Sequence, residues 1–327
     1  MNKSISKNES RRRFFRFIGK FGTIVFLLIM ITFFSIMKPR AFATVRNLLN
    51  VLNQSSLLII IACGLTAVVI IGDFDMSVAI TASFSGVLVT GLMVKQNLPI
   101  WFAIICTIAI CALCGMINGL IVTKLRVSSV IATIGTGGII FGLNYAYTSG
   151  SPIVTGIPKG FLNMTLIRLF GKIPINIIYM AVIVFILWII LNRTELGQRI
   201  QAVGGNSVAT KLSGINVDSI KITSYIFSSV CGGITGILLS SVIGSGNSTA
   251  ADSYLMNSFA AIFLGSATLK DGEFHILGTL IGVIIINIGF NGLAIFGMSN
   301  YVQYIFQGAI LVCAVALSSI SRIYANK

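Results

Sequence analysis

From residue 19 onward the chain alternates long apolar runs with short polar breaks. A helix that crosses a bilayer needs about 20 mostly apolar residues. Ten runs approach that length, at about 19–37, 54–71, 77–94, 99–122, 128–147, 175–192, 222–243, 255–269, 276–296 and 301–319. The pattern predicts an all-α membrane protein of about ten transmembrane helices, some of them broken. The eighth run is short, and the turn between the second and third is very tight, so both places read as broken or tilted helices. Irregular backbone is tolerated at membrane depth only where protein or a water-filled cavity covers it. Two polar stretches are long enough to have structure of their own, an outer one from Thr148 to Pro174 and an inner one from Asn192 to Ile220.

Composition agrees with burial in lipid. The 327 residues are 56% hydrophobic and 9% charged, with a mean hydropathy of +0.97. Soluble domains are about 45–50% apolar and about 25% charged. A soluble globular core is therefore excluded, and with it a soluble nucleic-acid binder, despite the net charge of +15. The charge instead reports topology. Seven of the 23 basic residues fall within the first 20 positions. Cytoplasmic loops carry the excess of Lys and Arg, so that head is expected inside. With ten spans the C-terminus is inside too, and sixteen basic residues then face the cytoplasm against seven outside. The apolar run after the basic head is long for a signal-peptide core and no small-x-small site stands out after it, so it reads as a retained first span. The expected organisation is a basic cytoplasmic tail (1–20), one transmembrane domain (21–321) with a cytoplasmic loop at about 193–220, and a cytoplasmic tail (322–327).

Candidate chemistry is sparse. No G-x-x-x-x-G-K-[ST] pattern occurs, so the chain carries no Walker-type ATP site. Cys111 and Cys114 form a C-x-x-C inside an apolar run without a second cysteine pair, and read as small packing residues. The one histidine, His275, has no second His or ligand cluster around it in sequence and reads as part of a solvated turn with Glu273. Glycine pairs at Gly115/Gly119, Gly232/Gly236 and Gly278/Gly282 have the four-residue spacing that lets helix backbones approach closely in lipid.

Acids inside a membrane are costly and each needs a reason. Of the eight, only Asp73 and Asp75 sit between two apolar runs without a real loop. Two readings stand for Gly72-Asp73-Phe74-Asp75-Met76-Ser77. One is a helix break lining a transport path, with Asp73, Asp75, Ser77, Asn118, Thr133 and Asn291 as pathway candidates. The other is a short cytoplasmic turn in which Asp75 or Ser77 caps the next helix. The inner loop holds Glu195-Leu196-Gly197 and then Gly204 through Ile215. There Gly204-Gly205 is expected to make a turn, Asn206 to cap a short helix, and Gly214 to end it. Val208 and Leu212 share one face of that helix. It seats either in a groove on a soluble partner or on its own bundle.

At these residues the chain resembles the permease subunits of ribose-type ABC sugar importers, the family that also serves xylose, galactosides, inositol and the furanose-like autoinducer. The likeness covers roughly residues 45–320. The family's Gly-Gly-Ile-Asp-Leu-Ser-Val-Gly corresponds to Gly72 through Ala79. Asn118-Gly119, the basic turn Lys124-Leu125-Arg126 and Thr133-Ile134-Gly135-Thr136 follow in family order. So do Gly150-Ser151-Pro152-Ile153, Thr194-Glu195-Leu196-Gly197, Gly204-Gly205-Asn206 through Ile215, Gly278-Thr279 and Asn291-Gly292-Leu293. The departures are specific. Asp73 stands for the motif's second glycine and Ala79 for its last. Ser207 replaces an acid, Ser128-Ser129 replace paired prolines, and Ser266, Asp271 and Phe274 replace glycines.

The resemblance implies a bacterial inner-membrane, multi-pass subunit with no cofactor and no catalysis of its own. ATP and Mg would be used by two separate ABC ATPase subunits, or a fused tandem ATPase, docked on the cytoplasmic loop. A second permease chain, like or unlike, would complete the path, and an extracytoplasmic binding protein would deliver the sugar. Membrane lipid is the remaining partner, and no nucleic acid is expected. Coupling to the ATPase would fall to Glu195, Gly197, Gly204, Gly205, Asn206, Ala209, Lys211, Leu212 and Gly214. The alternatives are a secondary transporter that moves a proton on Asp73 or Asp75, and a membrane enzyme, for which no nucleophile–base or metal pattern exists.

Overall fold

A computed structural model describes residues 22–266 and 272–325. The basic tail over 1–20 and the inner-loop residues Lys270 and Asp271 lie outside the described residues. The described residues are mostly helical. In order the helices are α1 (Gly22–Met37), α2 (Val45–Ile70), α3 (Val78–Val94), α4 (Ile100–Lys124), α5 (Ser129–Thr148), α6 (Lys159–Leu166) and α7 (Ile175–Arg193). There follow α8 (Glu195–Gly205), α9 (Ser207–Leu212), α10 (Val217–Ile243), α11 (Asp252–Ser266), α12 (Ile276–Ile295) and α13 (Asn300–Ala325). A two-stranded hairpin, β1 (Arg168–Leu169) and β2 (Ile173–Pro174), joins α6 to α7. Among the described residues, each of the ten expected runs contains a helix. Six helices, α2, α4, α5, α7, α10 and α12, are long and apolar enough to cross a membrane.

Proline sets several of the boundaries. Pro99, Pro158 and Pro174 each directly precede the first residue of a helix, α4, α6 and α7. A helix start needs no N–H there, and the fixed proline φ suits it. The outer segment has the structure expected of it. Residue 153 pairs with Gly246 through two backbone hydrogen bonds of 2.9 Å. Ser241 Oγ on α10 donates to the Phe161 carbonyl at 2.7 Å, which fixes α6 against the C-terminal end of α10.

Residues 53–258 form one compact unit. Its axis is α10, which packs against α3, α4 and α6. Small residues make that contact close. A Cβ on Gly232 would stand 3.0 Å from the Val78 carbonyl oxygen, and one on Gly236 would run into the Ala82 carbonyl. On the other side, Gly115 and Gly119 of α4 lie directly on the α10 backbone at Tyr225 and Ile222. Ser85 Oγ donates to the Gly233 carbonyl at 2.9 Å across the same seam. In this unit α2 and α10 are largely buried, whereas α4, α5 and α7 leave most of their surface uncovered. Helices oily on all sides but covered on one are what lipid or a second chain would surround.

Residues 1–52 and 259–327 form the second unit. Here Gly278 and Gly282 of α12 meet Gly265 and Ala261 of α11 backbone to backbone. Gly292 accepts the Phe34 ring of α1, and Gly289 accepts Phe306 of α13. All three glycine pairs of the sequence therefore lie at helix–helix contacts.

Candidate functional site

The site is built where α2 stops and α3 starts. Ile70 ends α2, and the chain turns at Gly72, whose φ of +81° is in the left-handed region. The Gly72 and Asp73 amides close back on Val69 and Val68. Phe74 and Met76 then have no helical acceptor for their N–H groups. Hydroxyls from α5 take them: Ser129 Oγ accepts from Phe74 N at 3.2 Å, and Thr133 Oγ1 accepts from Met76 N at 3.0 Å. The backbone groups freed at the break are thus satisfied by protein, which is what a break inside a membrane requires.

Asp75 is at the centre and is fully buried. Its Oδ1 accepts from the Ser77 amide at 3.0 Å and from Ser77 Oγ at 2.6 Å. Its Oδ2 accepts from Ser228 Oγ of α10 at 2.7 Å. Asn118 of α4 donates to Ser77 Oγ at 2.8 Å and accepts from Thr136 of α5 at 2.5 Å. One hydrogen-bonded chain therefore runs from α10 through the break to α4 and α5. Among the described residues no Lys, Arg or His forms an ion pair with Asp75.

Asp73 is placed differently. Its Oδ2 lies 2.9 Å from Lys221 Nζ near the start of α10, with both side chains mostly covered. Nearby, Lys124 at the end of α4 pairs with Asp218 at 2.8 Å in a more exposed position.

The cytoplasmic-loop candidates form a two-helix arm. Thr194 caps α8 by accepting from the Gly197 amide, and Gln201 Nε2 donates to the Leu191 carbonyl at 3.1 Å, which holds α8 to the end of α7. Gly197 lies on the carbonyls of Ile190 and Leu191. Glu195 and Arg199 pair one turn apart at 2.5 Å. Asn206 caps α9 as expected: its Oδ1 accepts from Val208 N at 3.1 Å and Ala209 N at 3.0 Å. Thr210 Oγ1 donates to the Ala202 carbonyl at 2.9 Å and clips α9 to α8. Gly214, with φ +83°, ends the arm. Val208 is 68% and Leu212 85% exposed, an apolar pair facing away from the chain. Ala209 and Lys211 are exposed beside them.

Several expectations change in detail. Gly204-Gly205 does not make a turn but closes the last turn of α8. The reason is contact: a Cβ on Gly204 would collide with the carbonyl oxygen of Ile70, the last residue of α2. Capping at the break falls to Asp75, since the Ser77 side chain makes no cap bond. Asp75, Ser77, Asn118 and Thr133 are closed off from solvent. Asn291 is not among them. It sits in the other unit and exchanges amide hydrogen bonds with Asn47 at 2.8 and 3.0 Å. Cys111 packs on Gly233, and His275 stands just before α12 with Nδ1 3.0 Å from the Glu273 carbonyl.

Sequence reading missed Ser129, Thr136, Lys221 and Ser228. A signal was present. Lys221, Tyr225 and Ser228 stand at i, i+4 and i+7 on α10, and Ser129, Thr133 and Thr136 have the same spacing on α5. A polar stripe at that spacing on an otherwise apolar helix marks the face turned to a polar neighbour.

The family model described as "Branched-chain amino acid transport system / permease component" matches residues 47–315. The ribose import permease protein RbsC of Haemophilus influenzae is 36% identical over 315 residues, covering 94% of this chain and 96% of that protein. RbsC of Bacillus subtilis is also 36% identical, over 319 residues, covering 96% and 97%. The galactose/methyl galactoside import permease protein MglC of Escherichia coli K12 is 32% identical over 336 residues, covering 97% and 98%. No solved structure matches the chain.

Proposed function

The chain belongs to the permease-component family of the branched-chain amino acid transport system, and we propose that it is the transmembrane permease subunit of an ATP-driven ABC importer for a sugar or sugar-like solute. In this reading it sits in the bacterial inner membrane with ten spans and both termini in the cytoplasm. The basic tail and the α8–α9 arm then share the inner side. The chain is not an enzyme. Two ATPase subunits, or one fused tandem ATPase, use ATP and Mg on the cytoplasmic side. A second permease chain completes the pathway, and an extracytoplasmic binding protein supplies the solute. The relatives give no support to a proton-coupled carrier.

One contact carries the mechanism: Gly204 of the arm rests on the Ile70 carbonyl, directly before the break at Gly72. In this reading the ATPase grips the exposed face of Val208, Ala209 and Leu212 when ATP closes it. Thr210 links α9 to α8, and α8 bears on the end of α2. Motion of the arm therefore reaches the break without an intervening flexible loop. The break in turn is bonded to α4, α5 and α10 through Asp75, Ser77 and Asn118. These helices move together, which is rigid-body alternation of access around a central path. The polar network braces the moving bundle, and solute selection rests mainly with the binding protein.

The test is reconstitution with the partner subunits. Uptake that requires ATP hydrolysis and persists after the proton gradient is collapsed is expected. Uptake by the chain alone, abolished by an uncoupler, would refute the reading.

A further inference from the structure

The hairpin between α6 and α7 is not used by the mechanism above, and its chemistry is unusual for a turn. The Lys172 amide bonds the Leu169 carbonyl at 3.1 Å, and the two central residues, Phe170 and Gly171, have φ of +53° and +69°. Positive φ at both central places is a type I′ turn, for which Asn-Gly or Gly-Gly is the favoured pair. A left-handed backbone is a true outlier for a bulky residue. Here it holds a phenylalanine that is 91% exposed. Leu166 and Ile167, just before the hairpin, are also exposed. Arg168 and Lys172 flank the ring, and among the described residues neither forms an ion pair.

Position decides what this surface meets. The hairpin passes through Pro174 straight into α7 with no spacer. At 1.5 Å per residue, the 19 residues of α7 span about 28 Å, close to the ~30 Å hydrocarbon core. The outward side of α7 is a continuous apolar stripe of Ile178, Val182, Phe185 and Ile189. A hairpin on top of such a helix, at the end of the unit opposite the arm, stands at headgroup height. Aromatic rings and basic side chains are the groups that settle at that level.

We propose that residues 166–173 are an interfacial anchor, in which Phe170, Leu166 and Ile167 enter the headgroup layer and Arg168 and Lys172 bind the phosphates of anionic phospholipid. The inference rests on the transmembrane reading of α7. The positive charge and the unbroken continuation into the oily face of α7 favour lipid over a protein partner. Each cation near an anionic surface contributes roughly a fivefold preference.

The experiment uses the full transporter in vesicles, with Trp101 and Trp188 replaced by Phe and one new tryptophan from Phe170→Trp. A separate Phe185→Trp protein reports on α7 itself. Brominated phosphatidylglycerol and brominated phosphatidylcholine are the quenchers. Quenching of the residue-170 probe by both lipids is expected, with phosphatidylglycerol favoured about 25-fold. Arg168→Gln with Lys172→Gln should abolish that preference while the probe at 185 stays quenched. Equal quenching by the two lipids in the parent would overturn the proposal. So would ready quenching of the residue-170 probe by aqueous iodide, or its shielding from iodide and lipid alike, which would mean that protein covers the hairpin. A probe at 185 that lipid does not quench would instead refute the transmembrane reading of α7.

Discussion

At the residue scale, the two acids of the break hold different structures together. Asp75 accepts three hydrogen bonds in a fully buried place, from the Ser77 amide, the Ser77 hydroxyl and the Ser228 hydroxyl. A buried donor left without its acceptor costs about 1–3 kcal/mol. Serine hydroxyls can turn to helix carbonyls, so the loss is smaller than three such terms. Asp75→Ala should cost about 2–4 kcal/mol, read as a lowered Tm in detergent and as reduced uptake. Glu9→Ala, in the basic tail, should change neither measurement. The place of Asp73 follows from its partner. Lys221 covers it at 2.9 Å, so the acid has a cation in a setting where a lone charge would be expensive. Breaking a buried pair from one side costs about 3–5 kcal/mol, whereas replacing both members is often neutral. The pair is partly solvated, so the single changes Asp73→Asn and Lys221→Met should each cost about 1–3 kcal/mol after screening. Asp73→Asn combined with Lys221→Met should cost less than their sum. Additive Tm losses in that double-mutant cycle would show that the two charges do not support each other.

At the element scale, packing depends on which glycines face another backbone. Gly236 and Gly138 look alike in sequence, yet a Cβ on Gly236 collides with the Ala82 carbonyl and one on Gly138 meets nothing within 4 Å among the described residues. Gly236→Ala should therefore force α3 and α10 apart, with an overpacking cost of about 1–3 kcal/mol. Gly138→Ala should leave the stability of the isolated chain within about 0.5 kcal/mol, as surface changes usually do. Equal losses would mean that the α3–α10 seam is not as close as described. This contrast also marks how far the sequence could be read. Long apolar runs are nearly unambiguous, because a span must satisfy its backbone internally, and so the described part of each expected run is largely helix. Asn206 as a cap was legible because its neighbours offer amides at the right places. The destination of a side chain across the bundle was not legible. Nothing local to Asp75 says that Ser228, far along the chain, will be its second partner. Nor does Gly204-Gly205 look different from a turn until the Ile70 carbonyl is seen against it. Glycine serves both bends and close approach, and only tertiary contact separates the two uses. The polar stripes on α5 and α10 were visible at helical spacing, but an apolar helix with a few hydroxyls reads first as a plain span.

At the scale of the whole molecule, the unit over residues 53–258 contains both the arm and the break. Force applied to α9 thus has a path to α2 and α10 within one packed body. Docking and transmission then become separable. The face formed by Val208, Ala209 and Leu212 is exposed and contributes little to the chain's own packing. Ala209→Asp places a charge on that face, so ATPase co-purification and uptake should both fall while stability stays within about 0.5 kcal/mol of the parent. Gly204→Ala acts one step further in. Its methyl would push α8 off the Ile70 carbonyl while leaving α9 and its Asn206 cap intact. The ATPase should still bind this variant, but uptake per ATP hydrolysed should drop severalfold. Ser207→Ala, exposed and outside both contacts, serves as the control. If Gly204→Ala transports with parental stoichiometry and Ala209→Asp still binds the ATPase, the arm is not the lever. The connection between the nucleotide cycle and the break would then have to be sought elsewhere in this unit, at the Lys124–Asp218 and Lys221–Asp73 bridges to α10.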